Sequence, residues 1–256
     1  MARTVRVPHD DTKRRGVFLS ARWLHVAMLN WRVGAERIAP HVPRGTELDD
    51  FGGHHYVSVV GLLFDHTRLL GLPIPGHRRF EELNLRIYVR RREGDELRRG
   101  VVFIKELVPR WAVARVARWF YNENYDSLPM RHGLQSENGN SPDATHRLFY
   151  EWRVGTRWNS LRMVVHGSPT PSATGSHEEF ITEHYWGYTR QRDGGTIEYR
   201  VEHPRWNVSP AHSFALDCDA ERLYGSEWAE VLARTPDSAL LADGSEVWVY
   251  RPRRIA

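Results

Sequence analysis

Cysteine and lysine are nearly missing from this chain. It has one cysteine, Cys218, and only two lysines, Lys13 and Lys105, among 36 basic residues. A lone cysteine excludes an internal disulfide and a cysteine-based zinc site, and it suits a reducing, cytoplasmic setting. Arginine otherwise takes every cationic position, so a lysine stands out: its amine can lose a proton, which a guanidinium cannot. No apolar run approaches the roughly 18 residues that a membrane span needs. The opening MARTVRVPHDDTKRRG lacks the apolar centre of a signal peptide. It reads as a flexible tail over 1–16, ahead of a single domain over 17–256. The absence of a βαβ rhythm and of a phosphate-cradling glycine loop argues against Rossmann and P-loop enzymes. No GxSxG elbow supports a serine triad. Cys218 sits between Asp217 and Asp219, whose charge opposes a thiolate.

Histidine is plentiful, at 14, yet its spacing does not suggest a metal. There is no HExxH, and adjacent His54 and His55 would face opposite sides of a strand. His177 and His184 could share a helix face but have no evident third ligand. The expectation is no metal and no cofactor. The net charge of +4 and pI of about 9.4 invite a nucleic-acid reading, but acids are interleaved with the arginines throughout. The densest cluster, Arg90 to Arg92, runs at once into Glu93, Asp95 and Glu96, which suits a solvated hairpin turn. Neither nucleic acid nor membrane is expected as a partner; a small-molecule ligand or substrate is. A homo-oligomer is left open.

Strand patterns dominate. FLSARWLHVAMLNWRV (18–33) and HYVSVVGLLF (55–64) read as strands, the second with a glycine that marks a bulge or close packing. A short helix is expected at 34–43 and a loop at 65–79. Residues 80–107 form a hairpin turning at Glu93-Gly94-Asp95, followed by a helix over 110–125. HRLFYEWRV (146–154) pairs with SLRMVVHG (160–167), and 184–204 makes another hairpin. Ser176 and Glu179 have capping-box spacing, SEWAEVLAR (226–234) is a helix capped by Ser226, and 246–252 is a closing strand. Many hairpin-joined strands with a few short helices suggest an antiparallel sheet or barrel of α+β type.

FEELNLRIYV (80–89) carries the chemistry. Its alternate residues divide into Leu83, Leu85, Ile87, Val89 and Glu82, Asn84, Arg86, Tyr88, which a strand places on opposite faces. If the polar series faces inward, a carboxylate, an amide, a guanidinium and a phenol line a hollow; if outward, they form a solvated face. Lys105 lies in VVFIKEL, with Val101, Phe103 and Leu107 at alternating positions. Desolvated there, its amine would be a Schiff-base nucleophile; with its head in water it is an ordinary strand lysine. The hairpin turn places residue 84 or 86 opposite Lys105, within two residues. Glu82 is then its partner for moving protons, Arg86 the group that binds a carboxylate, and Asn84 and Tyr88 the groups that orient a carbonyl.

FLSARWLHVAMLNWRV, GTELDDFGGHHYVSVVGLLF, FEELNLRIYVR, RRGVVFIKELVPR, YNENY, VEHPRWNV and LYGSEWAEVL…PDSALLADGSEVWVYRP together resemble the YqjF-like family of uncharacterised bacterial proteins, in the acetoacetate decarboxylase-like superfamily. The resemblance runs from Phe18 to Pro252. It implies a mostly antiparallel closed β-barrel with a few short helices and an internal cavity. By analogy with acetoacetate decarboxylase, Lys105 and Glu82 are catalytic, and Arg86, Asn84 and Tyr88 bind a small keto acid or carbonyl compound. The decarboxylase carries two adjacent lysines, whereas here Glu106 follows Lys105. The rival expectations are a non-catalytic barrel in which Glu82 and Arg86 recognise a polar metabolite, and an interaction module using exposed tryptophans and arginines.

Overall fold

Alternation of apolar and polar residues gives the chain sixteen strands among the residues that the computed structural model describes, which are 16–110, 122, 124–137 and 144–256. The helix expected over 110–125 falls, apart from its ends, outside the described residues, and so does the tail except for Gly16.

Six long strands matter most for the site: β1 (Val17–Val33), β3 (His55–Leu69), β5 (Phe80–Glu93), β6 (Glu96–Val108), β13 (Thr196–Glu202) and β15 (Ser238–Tyr250). The short β12 (Trp186–Arg190) joins them. Pairing runs β13-β12-β6-β5-β3-β1-β15, and the path returns on itself because β13 also pairs β15 at Val201↔Val249 and Glu202↔Trp248. The ladders are antiparallel except for β12 and β7 (Tyr125–Ser127), which each lie parallel to β6. Beyond β15 the sheet continues through β14 (Asn207–Asp217), β10 (Arg157–His166), β9 (Thr145–Val154) and β8 (Met130–Glu137). Strands β8 and β14 are absent from the sequence reading, and β3 and β15 are longer than it expects. Residues 65–69, expected as loop, extend β3 because their backbone still pairs with β1, Leu69 opposite Leu19.

Each face of the central sheet has its own core. Leu83, Leu85, Ile87 and Val89, all fully buried, pack with Trp31, Tyr150, Trp152 and Trp228. Tyr150 and Trp152 come from β9, and Trp228 from the helix Ser226–Leu232, so sheet and helix together cover this face. Gly61 makes the approach possible: a Cβ there would lie 2.6 Å from Cδ2 of Tyr150. The ladder with β1 also shifts register beside it, between Leu24↔Leu63 and Ala27↔Gly61, so close packing and a bulge in β1 meet here. The other face carries Met28, Val60, Leu62, Phe64, Phe80 and Trp206 and bounds a hollow. Among the described tryptophans only Trp158 is an exposed large hydrophobic, which removes the basis for a tryptophan-rich interaction surface. The short helix α2 (His177–Thr182) starts as expected: Ser176 Oγ accepts from Glu179 N, and Glu179 Oε2 accepts from Gly175 N. Gly225, not Ser226, is the N-cap of the helix that follows. Among the described residues no helix is long and apolar enough to cross a membrane.

Candidate active site

The hollow has a volume of about 240 Å³, and Glu82, Asn84 and Arg86 line it. The polar series of FEELNLRIYV therefore faces inward. Neighbouring strands set rows across the wall: Val60–Asn84–Glu106 in one and Ser58–Arg86–Phe103 in the next. Most of the remaining wall is apolar or aromatic, including Trp23, Phe64, Phe80, Phe103 and Trp206. Phe64 and Phe80 stack with centroids 4.7 Å apart.

A bulge decides which β6 residues take part. From the turn, Glu93 faces Glu96 and the ladder keeps that register as far as Arg86↔Phe103. The next pair is Leu85↔Lys105, then Asn84↔Glu106. Ile104 is the extra residue, so strict alternation fails between Phe103 and Lys105. Without the bulge Asn84 would face Lys105, as the turn by itself implies. With it, Lys105 lies opposite Leu85, on the core side of the sheet, and the cavity side receives Glu106. Glu106 is 1% exposed and lines the hollow. Lys105 is not among the lining residues; its Nζ lies 3.0 Å from Oδ2 of half-exposed Asp126. The structure thus brings Glu82, Asn84 and Arg86 together, adds Glu106, and turns Lys105 away from them.

Hydrogen bonds fix the polar wall. Asn84 Nδ2 donates to Glu82 Oε1 at 3.1 Å, and the Tyr125 hydroxyl donates to Glu82 Oε2 at 3.3 Å. Arg86 Nη2 donates to the Ile181 carbonyl at 3.2 Å and reaches the Tyr88 hydroxyl at 3.4 Å. Tyr88 is not a wall residue. It is buried behind the guanidinium, its hydroxyl 2.7 Å from Ser58 Oγ, which in turn donates to Asn30 Oδ1 at 2.6 Å. Asn84 Oδ1 and Arg86 Nε are buried with no hydrogen-bond partner, as are His184 Nδ1, Trp23 Nε1 and Thr67 Oγ1, all on residues that line the hollow. Buried polar atoms are seldom left this way.

Two histidines also line the hollow, His184 and His203. His184 does not share a helix face with His177, because α2 ends at Thr182. Its Nε2 lies 3.3 Å from Asp49 Oδ2, and Arg99 Nε donates to the same oxygen at 2.7 Å. Burial lowers the His184 pKa to about 4 despite the carboxylate beside it. Burial works against the Asp49 carboxylate too, but hydrogen bonds from His184 and Arg99 outweigh it and hold Asp49 at about 2. Burial likewise lowers His203 to about 4, against the Pro204 carbonyl that accepts from its Nδ1 at 2.9 Å. Sequence reasoning missed Glu106, His184 and His203. Nothing local announces the bulge, and residues 49 and 184 meet only through the fold. No group of three or more His, Cys, Asp or Glu among the described residues is placed to hold a metal ion.

A family model described as uncharacterized conserved protein (COG2071), DUF2071, matches residues 20–246. The chain belongs to the DUF2071 family. It is 27% identical over 198 residues to the uncharacterized protein YqjF of Bacillus subtilis (strain 168), covering 75% of each chain. Among solved structures this DUF2071 chain is similar to the enduracididine biosynthesis enzyme MppR complexed with pyruvate, with a TM-score of 0.66 at 13% identity, over 98% of this chain and 97% of that one. It is also similar to acetoacetate decarboxylase from Legionella pneumophila, with a TM-score of 0.63 at 10% identity, over 94% and 88% of the two chains. At such identities the likeness is one of fold: an acetoacetate decarboxylase-like, mostly β architecture.

Proposed function

We propose that this DUF2071 protein binds a small carboxylate compound non-covalently in the hollow of a β-barrel. The return of strand pairing from β13 to β15 supports treating the sheet as a barrel. One observation carries the reading: Arg86 Nε and Asn84 Oδ1 stand on the wall, buried and unmet. Leaving such an atom unmet costs about 1–3 kcal/mol, more if charged, and a ligand carboxylate supplies the acceptor that Arg86 lacks. The aromatic lining suits an apolar body behind the carboxylate. Glu82 and Glu106 are the acidic groups of the same wall, and Glu82 is the proton-accepting candidate if the bound compound reacts.

The rival reading is an imine on Lys105 with a keto acid, as in a decarboxylase. Lys105 is the one lysine among the described residues, and its position opposite Leu85, paired with Asp126, favours the non-covalent reading over this one.

The test is thermal stabilisation by a panel of small carboxylic acids running from pyruvate to phenylpropanoate. Stabilisation that survives Lys105→Met and disappears in Arg86→Ala is the expected result. Borohydride trapping of a keto acid on Lys105, absent in Lys105→Arg, would overturn it in favour of the imine.

A further inference from the structure

His184 tells more about the ligand. It is 8% exposed and lines the hollow from the connection between α2 and β12. Tyr88 and Phe180 pack on its ring, with centroids 4.8 and 5.2 Å away. A carboxylate only accepts, so the contact with Asp49 places the ring proton on Nε2 and leaves a lone pair on Nδ1. That nitrogen is buried and has no hydrogen-bond partner. Asn84 repeats the pattern: its Nδ2 donates to Glu82, which orients the amide and leaves Oδ1 as a second buried acceptor without a donor.

The residues of the wall therefore offer unmet donors, on Arg86 and Trp23, and unmet acceptors, on Asn84 and His184, with the Thr67 hydroxyl unmet as well. A bare carboxylate answers only donors. Resting on the non-covalent reading above, we propose that the ligand carries an O–H or N–H donor beside its carboxylate, and that His184, held in its tautomer by Asp49, is the residue that accepts from it. Asp49 is then a positioning residue. Arg99 fixes one oxygen of Asp49 and so fixes the direction in which His184 points.

Three matched probes test this by calorimetry on the full chain: phenyllactate, phenylalanine and phenylpropanoate, which carry a hydroxyl, an ammonium or neither beside the carboxylate-bearing chain. Phenyllactate or phenylalanine is expected to bind about tenfold or more tightly than phenylpropanoate, the size expected of one buried hydrogen bond. The better of the two identifies the donor. In His184→Phe that preference should fall to about threefold or less. Asp49→Ala is the second variant, in case the first fails to fold. It removes the oxygen that accepts from Nε2, so the ring proton is no longer held on that nitrogen and the preference should again fall. Equal affinity of the three probes for the wild type, or an unchanged preference in a folded variant, overturns the role of His184. If all three bind equally but Arg86→Ala abolishes binding, only this inference fails. If none binds, or Arg86→Ala changes nothing, the carboxylate reading fails with it.

Discussion

Acid should unfold this protein early, and the buried histidines set where. His184 and His203 each titrate near 4 in the fold against 6.5 ordinarily. Because each folded value lies below the unfolded one, each contributes stability that is complete above pH 6.5 and is lost as the pH falls towards 4. At about 1.36 kcal/mol per pH unit, each residue contributes about 3 kcal/mol in full, and about 2 kcal/mol of that is gone by about pH 5. Together they predict a loss of about 4 kcal/mol between about pH 7.5 and pH 5, against a typical total of about 5–15 kcal/mol. Burial lowers His25, His41 and His177 as well, so they push in the same direction. The measurement is urea unfolding followed by tryptophan fluorescence across that range. His203→Phe is the sharper perturbation. The new ring keeps the stack on Trp206, now 4.1 Å between centroids, and removes one titrating group. The slope near pH 5.5 should fall by about 1.2 kcal/mol per pH unit, the share of about 0.9 proton. A wild-type loss below about 1 kcal/mol, or an unchanged slope in the variant, would refute the claim that these imidazoles are held neutral by burial.

Three more substitutions probe the frame. Glu198 is fully buried and accepts from Arg91 at 3.2 Å, Arg98 at 2.8 Å and Arg253 at 2.5 Å; Glu198→Leu removes their shared buried acceptor and leaves them Glu93, so it should cost about 3 kcal/mol in denaturant unfolding. Gly61→Ala drives a methyl group into the Tyr150 ring, and a loss of about 1–3 kcal/mol is expected in the same assay. Lys105→Met breaks a half-exposed ion pair with Asp126, so stability should change by about 1 kcal/mol or less, and carboxylate binding should not move.

Much of the local structure was legible because it depends on short-range chemistry. The hairpin turn at Gly94 and Asp95, the capping box at Ser176 and the two-faced pattern of residues 82–89 all follow from neighbours a few positions apart. The inward direction of Glu82, Asn84 and Arg86 was legible only as an alternative: alternation defines two faces but does not say which of them encloses a hollow. Strands β8 and β14 were not legible, because β8 has no buried residue to mark an apolar face and β14 carries Pro210 and buries only Val208 and Ser209. Tyr88 shares the parity of Arg86, yet packing against Phe180 and His184 holds it behind the wall.

By itself, the sequence determined which residues lie on a common strand face, where the hairpins turn and how few amines the chain has. Tertiary structure decided which β6 residues meet the cavity. One extra residue at Ile104 reverses the alternation beyond it, bringing Glu106 in and sending Lys105 out. It also decided that Asp49 meets His184 across 135 positions of chain. Both outcomes depend on strand partners and closure, which act between segments far apart in sequence and leave no periodic trace within either one.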